Sequence, residues 1–282
     1  MTGHSLVADE WRQQLAQAGL PDLRVLLDER APSAHAAGSW QILTKPGLVG
    51  RQRWRWELDG KVLYVKRYFR PPLSEQFDRL RRQAAGHSRA WWEYQQSHLL
   101  ARQHLPAARA VAVAEKMFGI VEQSSVVILE AVAGEACDRL WLRLRRENSP
   151  LTRGLPRHDL TRRLARLVSA FHQTGFCHRD LYLCHVFVAL DPNARQPPQL
   201  TLIDLARVHR PRWRRLRWIL KDLSQLDSSA RQVGASRADR VRFLLTYLGL
   251  QPGAPRTRWF ARRVVRRSDR ILRRIARKSR EA

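Results

Sequence analysis

From Trp40 the chain alternates apolar and polar residues in short runs. QRWRWEL, a turn at Asp59-Gly60 and KVLYVKRYF make the strand–turn–strand pattern of a tight hairpin. The alternation puts Lys66 in, or at the end of, the second strand. Residues 75–105 lose it and take helical spacing, with Trp92, Leu99 and Leu100 available for one face. ARAVAVAEKMFGIVEQSSVVILEAVAG predicts two or three further strands. After Gly134 the pattern turns helical, over 135–147 and then 158–175, where Leu160, Leu164, Leu167, Val168 and Phe171 keep a spacing of three and four. Short apolar runs at Phe187–Leu190 and Leu200–Leu205 predict a β pair flanking the Pro-rich DPNARQPPQ. The remainder reads as helical and very basic.

Residues 6–30 predict a helical leader that ends near Pro32 and gives way to the small-residue linker APSAHAAGS. The elements divide into a helical leader and linker at 1–37, a small β-rich lobe with one helix at 38–134, a mostly helical lobe at 135–254 and a basic amphipathic helix at 255–282. The fold class expected is therefore α+β, in two lobes, with no internal repeat.

Composition sharpens this picture at the charges. Hydrophobic residues make up 44% of the 282, enough for a sizeable core, which excludes a disordered chain. Lys and Arg number 52 against 25 acids, a formal net charge of +27. Residues 1–50 hold four bases and five acids, so the whole surplus lies beyond Arg51. Such a balance points to polyanionic partners: nucleic acid, an anionic membrane surface, or a phosphorylated or carboxylated substrate. Only six of the bases are Lys, which makes each Lys worth attention. Cys137, Cys177 and Cys184 form no paired framework and no CxxC, as expected in a reducing compartment. The first residues carry Asp9 and Glu10 where an export signal needs an apolar core, and no apolar run approaches a membrane span. The expected location is cytoplasmic, or the inner face of a membrane.

The sharpest chemical pattern is FCHRDLYLCHVFV at 176–188. A protein kinase's catalytic loop reads H-R-D-x-x-x-x-N, in which the Asp orients the acceptor hydroxyl and the Asn binds a metal ion. Here the positions are His178, Arg179 and Asp180, with His185 five residues after the Asp, between an amphipathic helix and an apolar strand. LTLIDLARV at 200–208 places Asp204 at the end of a short strand, where a kinase holds Mg²⁺ between nucleotide phosphates. Upstream, Lys66 on a strand and Glu93 on the next helix match the pair that reaches the α- and β-phosphates. Taken singly, Lys66 and Glu93 could be solvated, Asp204 a helix cap and His185 a core imidazole. Their order, Lys, Glu, Asp, Asp, on the four elements the mechanism requires is what carries the reading.

HRDLYLCHVFV, LIDLARV and the later WILKDLSQL resemble the lipopolysaccharide core kinases, most of all the heptose kinase branch, whose fold is similar to that of eukaryotic protein kinases. That family likewise carries a Tyr two positions after the Asp and a Cys-His pair, here Tyr182, Cys184 and His185. The resemblance covers roughly residues 40–230 and implies Asp180 as catalytic base, Lys66 and Glu93 as the nucleotide-positioning pair and Asp204 as metal ligand. It implies that His178, Arg179 and Asp222 support the loop, and that ATP and Mg²⁺ are used. His185 can bind a metal, though imidazole is a poorer Mg²⁺ ligand than an oxygen donor. The sequence departs from protein kinases as well. No G-x-G-x-x-G precedes the hairpin, only Gly47 and Gly50. Asp204 is followed by Leu205 and Ala206, and 18 residues separate it from Asp222. That leaves little room for an activation loop, so a sugar hydroxyl is the expected acceptor.

Arg207, Arg210, Arg212, Arg214 and Arg215 follow the metal aspartate directly, and Arg forks suit the carboxylates and phosphates of an inner-core lipopolysaccharide acceptor. The 256–282 tail, with twelve bases and two acids, reads as a basic amphipathic helix able to lie on an anionic inner membrane. A Kdo kinase or a protein Ser/Thr kinase of the same fold is the alternative function. A nucleic-acid binder would explain the charge but leave the four ordered residues to coincidence, so no nucleic acid is expected. The sequence implies no obligate protein partner.

Overall fold

A two-residue turn at Asp59-Gly60, both with positive φ (48° and 74°), joins the first long strands as their spacing requires. In the computed structural model, which describes residues 2–44, 50–83, 85–191, 193, 195–251 and 253–281, the chain divides into two units. Met1–Val132 with Asp204–Ala206 form the first, and Ala133–Ile203 with Arg207–Ala282 the second.

The first unit contains β1 (Thr2–Val7), α1 (Asp9–Gln17), β2 (Ser39–Ile42), β3 (Arg51–Leu58), β4 (Lys61–Phe69), α2 (Leu73–Arg82), α3 (Arg89–Arg102), β5 (Ala110–Phe118) and β6 (Val121–Glu130). The strands form one antiparallel sheet in the order β1-β5-β6-β4-β3-β2. One face packs its apolar residues, among them Trp56, Leu63, Val65, Val111 and Ile128, against Trp11, Leu15, Leu20, Leu23 and Leu26 of the leader. The leader is thus part of this unit's core. Its start is also not helical. Residues 2–7 form β1, antiparallel to β5, because the edge of β5 offers unpaired backbone groups that a six-residue segment can satisfy.

The strand period of two separates the side chains of β4. Val65 points into the leader-side core, and so does Arg67. The Arg67 guanidinium is fully buried, donating to the carbonyls of Leu26 (2.8 Å), Arg30 (2.7 Å) and Asp28 and to Gln52 Oε1 (3.1 Å). Lys66, one residue over, takes the opposite face, that of α3. Ser88 caps α3, its Oγ accepting from the Trp91 amide at 3.2 Å. The buried stripe of α3 is Trp91, Glu93, Gln96, Ser97 and Leu100; Leu99, expected inward, is exposed. Gly50 adopts φ 73° where a Cβ would sit 2.4 Å from the Phe69 carbonyl oxygen, so it lets the chain close onto β4. Gly47 lies outside the described residues.

The second unit is mostly helical, as the expected α+β class requires. It holds β7 (Glu135–Ala136), α4 (Cys137–Arg146), α5 (Gly154–Gln173), β8 (Val186–Ala189), β9 (Gln199–Leu202), α6 (Arg215–Gln232), α7 (Arg237–Leu248) and α8 (Pro255–Glu281). β8 and β9 pair antiparallel across the Pro-rich connection, with β7 beside β8. Leu164, Ala165, Leu167, Val168 and Phe171 form the buried stripe of α5, which packs on α7. α8 packs on α6 through Phe260, Val264 and Ser268. From Arg273 to Arg280 every residue of α8 is exposed. Among the described residues no helix is long and apolar enough to cross a membrane.

Candidate active site

In the first unit, three of the expected residues meet. Lys66 Nζ donates to Glu93 Oε1 at 2.7 Å and to Asp204 Oδ1 at 2.9 Å. Glu93 is 0% exposed and Lys66 14%, so the ammonium stands between two carboxylates with little water to screen it. Burial opposes its charge, but Asp204 and Glu93 outweigh that and hold its pKa above the ordinary lysine value. Asp204 has a left-handed backbone (φ 59°), which an Asp tolerates better than most residues. Its segment is fastened to the same unit where Gln83 Nε2 donates to the Ala206 carbonyl at 2.6 Å. A hard carboxylate oxygen beside a charged ammonium is a donor set that fits Mg²⁺ and polyphosphate.

The residues expected to form the catalytic loop lie in the second unit. Asp222 of α6 is fully buried and accepts from the amides of His178 (2.6 Å, Oδ2) and Arg179 (2.8 Å, Oδ1). Burial works against its charge, yet His172, 3.3 Å from Oδ2, and these amides bring its pKa below the usual carboxylate value. They also hold Arg179 at φ 72°, a conformation costly for a bulky side chain. Lys221, next along α6, donates to the Arg179 carbonyl from the other side. His178 Nε2 lies 3.0 Å from the Ile203 carbonyl oxygen. His185 Nδ1 lies 2.7 Å from the backbone oxygen of Asp180; a carbonyl only accepts, so Nδ1 carries the hydrogen. Its ring stacks on that of His178 with centroids 6.0 Å apart.

The Asp180 carboxylate, 21% exposed, is engaged by Arg207, whose Nη1 reaches Oδ1 at 3.1 Å and Oδ2 at 2.8 Å. Lys221 Nζ stands 3.9 Å from Oδ1. Desolvation, together with the charges of Arg207 and Arg179, brings the Lys221 pKa down to about 8 despite Asp180. Sequence reasoning counted Lys221 only within the basic stretch that follows Asp204 and gave it no role at Asp180. The scarcity of lysine and its place beside Asp222 were the pointers to it.

The five arginines expected to bind the acceptor do not converge. Arg207 is on Asp180, Arg210 lies over the Phe176 ring at 6.0 Å, and Arg215 donates to the His172 carbonyl, while Arg212 and Arg214 are exposed. His172, Cys177 and Asp222 also cluster closely enough to suggest a metal. Burial pushes the Cys177 thiol up to about 12, and the loop amides already occupy Asp222, so this cluster is structural. The second unit further contains a cavity of about 390 Å³, lined mainly by apolar side chains such as Trp141, Leu164, Leu183, Leu226, Leu244 and Val264.

Comparison with known proteins gives a consistent result. The model of the lipopolysaccharide kinase (Kdo/WaaP) family matches residues 48–247. The lipopolysaccharide core heptose(I) kinase WaaP of Pseudomonas aeruginosa is 31% identical over 201 residues, 71% of this chain and 74% of that protein. Its namesake from Escherichia coli K12 is 27% identical over 207 residues, covering 72% and 76%. A solved structure of WaaP in complex with acyl carrier protein matches 94% of this chain and 99% of its own, with a TM-score of 0.63 at 25% identity.

Proposed function

This chain belongs to the lipopolysaccharide kinase (Kdo/WaaP) family, and we propose that it transfers the γ-phosphate of ATP to a heptose of the lipopolysaccharide inner core. The observation that supports this best is Lys66 shared between Glu93 and Asp204 at 2.7 and 2.9 Å, a cation placed for nucleotide phosphates beside a carboxylate placed for a metal. Lys66, oriented by Glu93, binds and positions the phosphates. Asp204 holds Mg²⁺, which when bound neutralises charge on the phosphates. Asp180 orients the acceptor hydroxyl and takes its proton as the oxygen attacks the γ-phosphorus and ADP departs. Asp222 keeps the loop in shape through the amides of His178 and Arg179. His185, hydrogen-bonded to the Asp180 backbone, supports the same loop; its imidazole suits Mg²⁺ less well than an oxygen ligand.

The test is transfer from labelled ATP with Mg²⁺, offering core lipopolysaccharide lacking phosphate beside a generic basic protein. Label on the lipopolysaccharide, lost in Asp180→Ala, is the expected result. Label on the protein alone would move the function to a protein kinase.

Two partners extend this reading. The exposed basic surface of α8 suits the anionic inner leaflet, which would make the enzyme peripheral there. The apolar cavity of the second unit suits a hydrocarbon chain, and the solved relative is in complex with acyl carrier protein. We read the cavity as the seat of a carrier's acyl chain. Intact mass of the native complex before and after thioester cleavage tests this, and Leu164→Trp, which fills the cavity, should lose the carrier.

A further inference from the structure

Asp180 must receive a proton, yet its carboxylate is already bridged by Arg207 through both oxygens, at 3.1 and 2.8 Å. A guanidinium there offsets the charge that would draw a hydroxyl hydrogen, and its Nη1, shared between the two oxygens, takes one accepting direction on each. The two cations around Asp180 differ in how firmly they are held. Lys221 is the more enclosed and is anchored to the Arg179 carbonyl. Arg207 is 50% exposed, ends the short turn Leu205–Arg207, and among the described residues has Asp180 as its one hydrogen-bond acceptor.

Charge around this group is also out of balance. Arg207 and Lys221 both face Asp180 and Arg179 lies close by, three cations against the two carboxylates Asp180 and Asp222. A second anion is therefore favoured beside Asp180, and the Arg fork, which pairs with carboxylate or phosphate in two-pronged fashion, is the group free to meet it.

We propose that Arg207 is a specificity-determining residue that reads an oxyanion, carboxylate or phosphate, next to the acceptor hydroxyl: it leaves Asp180 for that oxyanion and so frees the base. This rests on the kinase reading above and deepens it by naming what the acceptor must carry. When Arg207 leaves, Lys221 stays beside Asp180, held by the Arg179 carbonyl. A neutral acceptor, or water, offers Arg207 nothing and meets a base still covered. Wasteful ATP hydrolysis, in which water attacks the γ-phosphorus, Asp180 takes the proton and ADP leaves, is held down by the same contact.

The experiment compares wild type, Arg207→Gln and Arg207→Lys on three forms of core oligosaccharide: intact, carboxyl-reduced and dephosphorylated. ATP hydrolysis without acceptor is followed alongside, and thermal melts establish that each variant is folded. Wild type should prefer the intact form by about tenfold in kcat/KM over whichever form lacks the oxyanion that Arg207 reads, which tells the carboxylate from the phosphate. Arg207→Gln should lose that preference while its acceptor-free ATP hydrolysis rises several-fold. Arg207→Lys should restore part of the preference. Equal losses on all forms with no rise in hydrolysis would make Arg207 a structural residue and overturn the inference. An unchanged preference in Arg207→Gln would overturn it as well. A wild type that labels protein but no oligosaccharide would overturn the sugar-kinase reading itself, visible before any variant is compared.

Discussion

Lys66 of β4 and Glu93 of α3, 27 residues apart in sequence, meet at 2.7 Å with the carboxylate wholly shut off from water. Removing Lys66 strands the buried Glu93, and removing Glu93 takes from Lys66 the more deeply buried of its two carboxylates. Glu93→Ala leaves Lys66 with Asp204 alone and should cost about 3 kcal/mol of stability, read by denaturant unfolding. Nucleotide affinity should fall with it in calorimetric titration. Lys66→Met should lose nucleotide binding more completely. Its buried Glu93, already pushed up by burial, would take up a proton rather than remain charged.

Asp222→Asn should loosen the catalytic loop, since an amide offers one acceptor oxygen where the carboxylate uses two. Transfer should drop at least tenfold with nucleotide affinity largely kept. The wild-type carboxyl titrates below its unfolded value, so its contribution to stability is present above the ordinary carboxylate range. That contribution is lost as pH falls through the lower folded value. Acid unfolding curves of wild type and Asp222→Asn should therefore converge at low pH and separate toward neutrality.

Lys221 supplies a pH dependence at the other end. With its pKa at about 8, its positive charge beside Asp180 fades above that pH, and transfer should fall on an alkaline limb near 8. Lys221→Arg keeps the charge and should move that limb upward. The sign for stability is opposite. The folded pKa lies below the unfolded one, so the ammonium is a burden below about 8 that is relieved as pH rises toward the ordinary lysine value.

The exposed end of α8 should bind anionic membranes. Full-length protein should sediment with phosphatidylglycerol vesicles at low salt, release as salt is raised, and ignore neutral phosphatidylcholine vesicles. Truncation after Leu272 removes Arg273, Arg274, Arg277, Lys278 and Arg280, all exposed, and should weaken binding by about tenfold or more without lowering the melting temperature.

What could be read from the sequence was what local chemistry dictates. Asp59-Gly60 announced a hairpin because few other pairs accept two positive φ values, and the period of two on β4 then put Lys66 opposite Val65 and Arg67. The H-R-D loop and LIDL strand were legible because phosphoryl transfer needs those groups in that order. Long-range relations were not. β1 is a mostly exposed six-residue segment whose partner lies more than a hundred residues away, so nothing local marks it as a strand. Nothing in KVLYVKRYF marks Arg67 as buried, because the carbonyls that surround it come from the distant segment Leu26–Arg30. The bond from Arg207 to Asp180 was hidden among neighbouring arginines of identical appearance.

The pairing of β1 with β5, Thr2 opposite Met117 through Val7 opposite Ala112, has a practical consequence. Trimming those six residues to make a shorter protein would bare the backbone of β5 along most of its length. An open strand of that kind is a template for a strand from another molecule, so the shortened chain should polymerise through its sheets while Lys66, Asp180 and Asp204 are left untouched.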